Sequence, residues 1–131
     1  MTEQLMKKIL IVEDDPAILD VYQIIMKKAG FDVQTTSLGR EAIEMMKKLG
    51  DSHQVMPDII LLDLILPDLN GMDVLKEIRA NDASKNIKVF IFSNQEENQT
   101  SQMDGIKPDK FIVKANITPS QLVELIKKEL V

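Results

Sequence analysis

The sequence contains no cysteine and a single histidine, His53. Disulfides, thiolate metal sites and a cysteine nucleophile are therefore excluded, as are His-rich zinc sites and any mechanism needing two imidazoles. The five glycines are widely spaced, so no glycine-rich loop exists to cradle the phosphates of a nucleotide. No apolar run approaches the ~20 residues that span a bilayer. The start, Met1-Thr2-Glu3-Gln4, lacks the basic-then-apolar pattern of a signal peptide. Basic residues number 16 against 21 acidic ones, a net charge of -5. The lysines fall in scattered pairs, Lys7-Lys8, Lys27-Lys28, Lys47-Lys48 and Lys127-Lys128, with acids between them. An acidic surface without a basic patch repels phosphate backbones, which argues against nucleic acid as a partner. The expectation is a cytoplasmic protein with no membrane segment.

What is present is ordinary for one globular domain: 131 residues, 44% hydrophobic and 28% charged. Short apolar runs alternate with amphipathic stretches. The runs are Ile9 to Val12, Phe31 to Val33, Ile59 to Leu62, Val89 to Phe92 and Phe111 to Val113. All but Phe31 to Val33 lack polar alternation, which suits strands covered on both faces; Phe31 to Val33 reads as an edge strand. Asp15-Pro16 reads as an N-cap and first helical position, with Gly30 ending that helix. Leu38, Ala42, Met45, Met46 and Leu49 form a second stripe, which Gly50 is expected to close. Gly71 to Ala80 reads as a third helix, and Thr118-Pro119-Ser120-Gln121 as a capping box opening the last. Residues 96–105 are almost wholly polar, so a fourth helix there would be weakly anchored. The alternation specifies an α/β sheet with helices on both faces. With no repeat or linker, residues 1–131 read as a single domain without an output domain.

In such a sheet the C-terminal strand ends share one edge, where ligands bind. Glu13 and Asp14 follow the first run, Asp63 the third, Ser93 the fourth and Lys114 the fifth. Singly these are weak: Asp15 is a helix cap, Glu13 and Asp14 suit a solvated loop, and Ser93 and Lys114 suit any surface. Asp63 is harder to dismiss, since a carboxylate within so apolar a stretch needs a partner. Together they make chemical sense. Crowded carboxylates favour a divalent cation, and oxygen-only ligation points to Mg²⁺. The cation, Lys114 and Ser93 would neutralise phosphoryl oxygens, and Asp63 would be the nucleophile that forms an acyl phosphate.

Ile9-Leu10-Ile11-Val12-Glu13-Asp14-Asp15-Pro16 and Asp63-Leu64-Ile65-Leu66-Pro67-Asp68-Leu69-Asn70-Gly71, with Ser93 and Lys114 in order, resemble a response-regulator receiver domain of two-component phosphorelay signalling. The resemblance implies a (βα)5 flavodoxin-like, doubly wound fold with parallel strands in the order 2-1-3-4-5. It implies that Asp63 is the phosphoacceptor, Asp14 a direct Mg²⁺ ligand, Glu13 a ligand mostly through water, and Ile65 a ligand through its backbone carbonyl. Ser93 corresponds to the switch hydroxyl and Lys114 to the phosphate-binding lysine. Phe111 falls at an aromatic switch position, although a strand phenylalanine equally suits plain core. Ile65 and Gln95 border the route of the water that hydrolyses the aspartyl phosphate. A histidine kinase or histidine phosphotransfer protein is the implied donor and an unknown downstream protein the target, with the chain a monomer or a phosphorylation-dependent homodimer. It would be no enzyme beyond its own phosphorylation and slow dephosphorylation.

The sequence departs from that pattern in two places beside the site. Ala115 replaces the proline that commonly follows the lysine; a non-proline cis bond costs about 2.5–4 kcal/mol, so Lys114-Ala115 is expected trans. Asn94 stands where a small residue is usual, which narrows access to the phosphoryl pocket. Two rivals remain: a phosphorylation-independent interaction module of the same fold, and a small Mg²⁺ phosphohydrolase. The second lacks the general acid it would need two positions after Asp63, where Ile65 stands. His53 reads as a surface histidine at the opposite edge of the sheet.

Overall fold

The computed structural model describes residues 6–94 and 105–131. Five strands, β1 (Lys8–Val12), β2 (Asp32–Thr36), β3 (Ile59–Leu62), β4 (Lys88–Ser93) and β5 (Lys110–Val113), form one parallel sheet in the order β2-β1-β3-β4-β5. The described helices are α1 (Pro16–Lys28), α2 (Gly39–Asp51), α3 (Gly71–Ala80) and α4 (Pro119–Glu129), with a single 3-10 turn at Lys114–Asn116. The weak helix expected over residues 96–105 lies almost wholly outside the described residues. No described helix is long and apolar enough to cross a membrane.

The apolar runs lack polar alternation because both faces of the sheet are covered. Successive side chains of a strand point to opposite faces. Ile9, Ile11, Ile59, Leu61, Phe90 and Phe92 accordingly pack with Tyr22 and Met26 of α1 and Leu122, Val123 and Ile126 of α4. Their neighbours Leu10, Val12, Ile60, Leu62, Val89 and Ile91 pack with Ala42 and Met46 of α2 and Val74, Leu75 and Ile78 of α3. The chain leaves β1 for β2 on one side and returns to β3 on the other. The topological switch point thus lies between β1 and β3, beside Glu13, Asp14 and Asp63.

Local signals set most helix starts. Asp15 accepts from the N–H groups of Ala17 and Ile18, and Thr118 and Gln121 form a reciprocal capping box. Two boundaries differ from the sequence reading. The second strand runs from Asp32 to Thr36 rather than Phe31 to Val33, because pairing along the whole of β1 carries the polar but β-branched Thr35 and Thr36 into the sheet. Gly50 does not close α2. It lies inside the helix, where an added Cβ would come within 2.7 Å of Ala83 Cβ, so close packing requires it. The reversal belongs to His53, exposed and at φ 54°, with the Gln54 N–H donating to Leu49 O and the His53 N–H to Gly50 O, the pattern of a Schellman cap.

The N-terminus of α2 has no side-chain cap from Leu38. Asp68, in the loop after β3, accepts instead from the N–H groups of Gly39 (2.8 Å) and Arg40 (2.9 Å). The Arg40 N–H, chiefly, holds the Asp68 carboxyl below its ordinary value, slight burial opposes this, and the Gly39 N–H adds to it. A carboxyl whose folded pKa is depressed stabilises fully above its unfolded value, near 3.8, and loses that contribution as pH falls through the folded one. Asp68→Ala is therefore expected to melt below wild type at pH 7, and the gap to narrow below about pH 4; circular dichroism melts at both pH values check this.

Candidate functional site

The parallel register brings the ends of β1, β3, β4 and β5 to one crevice. The Glu13 N–H donates to Thr36 O and the Asp63 N–H to Val12 O, so the ladder extends one residue past each strand and holds both acids at the edge. Glu13 and Asp63 are buried, 2% and 7% exposed, whereas Asp14 is exposed. One carboxylate oxygen from each of the three lies within 4.8 Å of the other two. Lys114, first residue of the 3-10 turn, reaches back with its Nζ 2.6 Å from Glu13 Oε1 and 3.1 Å from Asp63 Oδ2. The other Asp63 oxygen accepts a long 3.4 Å bond from the Ile65 N–H, and Glu13 Oε2 accepts from the Asp15 N–H.

One ammonium opposes three carboxylates, so the cluster stays net acidic. Burial raises the Glu13 carboxyl above its ordinary value, and the charge of Asp63 adds to this against the opposing pull of Lys114. For Lys114 burial acts downward, but Glu13 and Asp63 outweigh it and raise the ammonium. Glu13 Oε1 is buried, with the Lys114 ammonium 2.6 Å away. An oxygen-only donor set with excess negative charge suits a hard divalent cation such as Mg²⁺.

All the expected residues but Gln95 can now be placed. Glu13, Asp14, Asp63 and Lys114 are brought together by direct geometry. Ser93 is buried at the end of β4, level with Val113. Ile65 bridges Asn70 through its backbone and is 59% exposed. Phe111 is half-buried on β5 against the core layer of α2 and α3. Gln95 lies outside the described residues. The Lys114-Ala115 bond is trans, since no cis peptide occurs among the described residues.

Three features escaped the sequence reading. The Lys114 ammonium lies 5.7 Å from the Phe92 ring centroid, and Phe92 is itself braced edge-on by Tyr22. Burial raises the Tyr22 phenol, with Lys114 pulling the other way. Asn94, exposed, turns its side-chain oxygen onto the Ala115 N–H at 3.2 Å. Asp68 ties the loop after Asp63 to α2. Long-range partners such as these leave no local signal, although Asn94 and Ala115 are the two departures already noted beside the site.

Comparison with known proteins agrees with this geometry. The model of the response regulator receiver domain family matches residues 9–127. The chain is 35% identical over 125 residues to the chemotaxis protein CheY of Thermotoga maritima, covering 93% of this chain and 96% of that one. It is 39% identical over 93 residues to the cell cycle transcriptional regulator CtrA of Caulobacter vibrioides, covering 71% of this chain and 37% of CtrA. The chain thus spans little more than a third of that relative's length. The crystal structure of the phosphorylated cyanobacterial phytochrome response regulator RcpA superposes with a TM-score of 0.78 at 30% identity, covering 95% of this chain and 91% of that one.

Proposed function

We propose that this chain, which belongs to the response regulator receiver domain family, accepts a phosphoryl group on Asp63 from a histidine kinase or histidine phosphotransfer protein in the cytoplasm and signals through the change of surface that follows. The observation that carries this reading is the buried Asp63 carboxylate with the Lys114 ammonium at 3.1 Å and two further acids beside it. Asp63 would attack phosphorus with a carboxylate oxygen while the bond to the donor's leaving group breaks. As the carboxylate charge is consumed, Lys114 passes from Asp63 to a phosphoryl oxygen, and the Ser93 hydroxyl donates to another. Glu13, Asp14, Asp63 and the Ile65 carbonyl would hold Mg²⁺, which when bound supplies positive charge to the phosphoryl oxygens. Phe111, on the strand that leads into Lys114, would move with Ser93. The test is intact-protein mass spectrometry after incubation with acetyl phosphate. One added phosphoryl group is expected with Mg²⁺ and none after chelation.

The lifetime of the acyl phosphate depends on a water held in line with phosphorus. Ile65 neither donates nor accepts through its side chain and is exposed two residues after Asp63; on this reading it would shield the phosphoryl group. Ile65→Asn is expected to speed phosphoryl loss by about tenfold or more, a few kcal/mol of water positioning at most. Following the decay of the phosphorylated mass under identical Mg²⁺ measures it; an equal or slower decay contradicts the shielding role.

A further inference from the structure

The β4–β5 ladder ends at Ser93 and Val113. One step beyond it, Asn94 Oδ1 accepts the Ala115 N–H at 3.2 Å. The donor settles the amide's orientation, because only the oxygen of an asparagine side chain accepts from an N–H. That N–H belongs to the Lys114-Ala115 peptide, so the bond fixes the backbone from which the Lys114 side chain departs. Val113, preceding the 3-10 turn, supplies no side-chain cap. Both Asn94 and Ala115 are exposed, so water would satisfy this N–H equally well. What the bond adds is geometry.

We propose that Asn94 is a positioning residue for phosphoryl transfer, holding Lys114 in register with Ser93 and Asp63 through the Ala115 N–H. A proline at 115 would have no N–H to donate and would stiffen the turn by its ring. In this chain Ala115 leaves the donor in place and Asn94 supplies the acceptor, so two departures from the family pattern make one bond. The bond brackets the site: Asn94 follows Ser93 directly, and Ala115 follows Lys114. A loosened turn would let the ammonium wander from the place where phosphoryl charge arrives, and small misplacements of positioning groups are costly in rate.

The inference rests on Asp63 as the phosphoacceptor, and the experiment separates the two. Wild type, Asn94→Ala and Asn94→Asp are incubated with acetyl phosphate and Mg²⁺, initial rates are read by intact mass, and exchange of the Ala115 N–H is followed by NMR. Asn94→Ala is expected to slow phosphorylation about tenfold, with Mg²⁺ binding unchanged and Ala115 exchange accelerated. Asn94→Asp keeps the acceptor, so protection of Ala115 and most of the rate should return. If Asn94→Ala is as fast as wild type, or faster because Asn94 merely crowds the mouth, the positioning role is overturned. Equal impairment of both variants, or unchanged Ala115 exchange in Asn94→Ala, overturns it too. If wild type takes no label, it is the reading of Asp63 that fails.

Discussion

Asp63→Asn is expected to take up no phosphoryl group from acetyl phosphate under conditions where wild type gains one, a loss on the order of a thousandfold or more in rate. Asparagine keeps the shape of the side chain, but its oxygen is a neutral amide carbonyl and its nitrogen lone pair is delocalised, so neither attacks phosphorus. Lys114 also contacts Glu13 at 2.6 Å, a second anchor that the substitution leaves in place and that separates loss of the nucleophile from loss of the lysine. The fold should survive, because the change removes one of three mutually repelling acids. The variant should therefore melt no lower than wild type without Mg²⁺, and should gain less when Mg²⁺ is added. Labelling of Asp63→Asn at the wild-type rate would move the site elsewhere; a collapsed melting temperature would mean that Asp63 is held for the fold.

Gly71→Ala is expected to destabilise the protein by about 3 kcal/mol, roughly a 10 °C fall in melting temperature for a chain of this size. An added Cβ would lie 2.2 Å from the Asp63 carbonyl oxygen and 2.8 Å from Leu64 Cα. These are backbone atoms, so no rotamer change relieves the overlap. The Gly71 N–H also donates to Leu64 O at 2.7 Å, which pins the start of α3 to the residues beside Asp63. Helix propensity alone predicts the opposite sign, since alanine is better than glycine in a helix by about 1 kcal/mol. Stabilisation by that amount would show that the close approach does not exist. Displacement of the Asp63 loop should also slow phosphorylation in whatever fraction remains folded.

The starts of α1, α3 and α4 and nearly all of the strands could be read before folding because their causes are local. Asp15-Pro16 and the box at Thr118 satisfy the first N–H groups of α1 and α4 with side chains close in the chain. The apolar runs announce burial on both faces, and the sheet covers them so. The acids, serine and lysine at the strand ends could be read too, because parallel strands must end at one edge. What no local pattern carries is contact across the chain. The sequence offers Gly50 as the end of α2, but packing against Ala83 takes it for the helix interior and leaves the reversal to His53. Asp68 caps a helix 29 residues earlier, and Asn94 grips a peptide 21 residues later. Lys114 lies 51 residues from Asp63 in the chain and 3.1 Å from it in space. Residue types and strand periodicity therefore determined the fold class and the candidates for the site. Tertiary structure alone decided which oxygen faces which ammonium, because those distances depend on the register of the sheet and the packing of its helices.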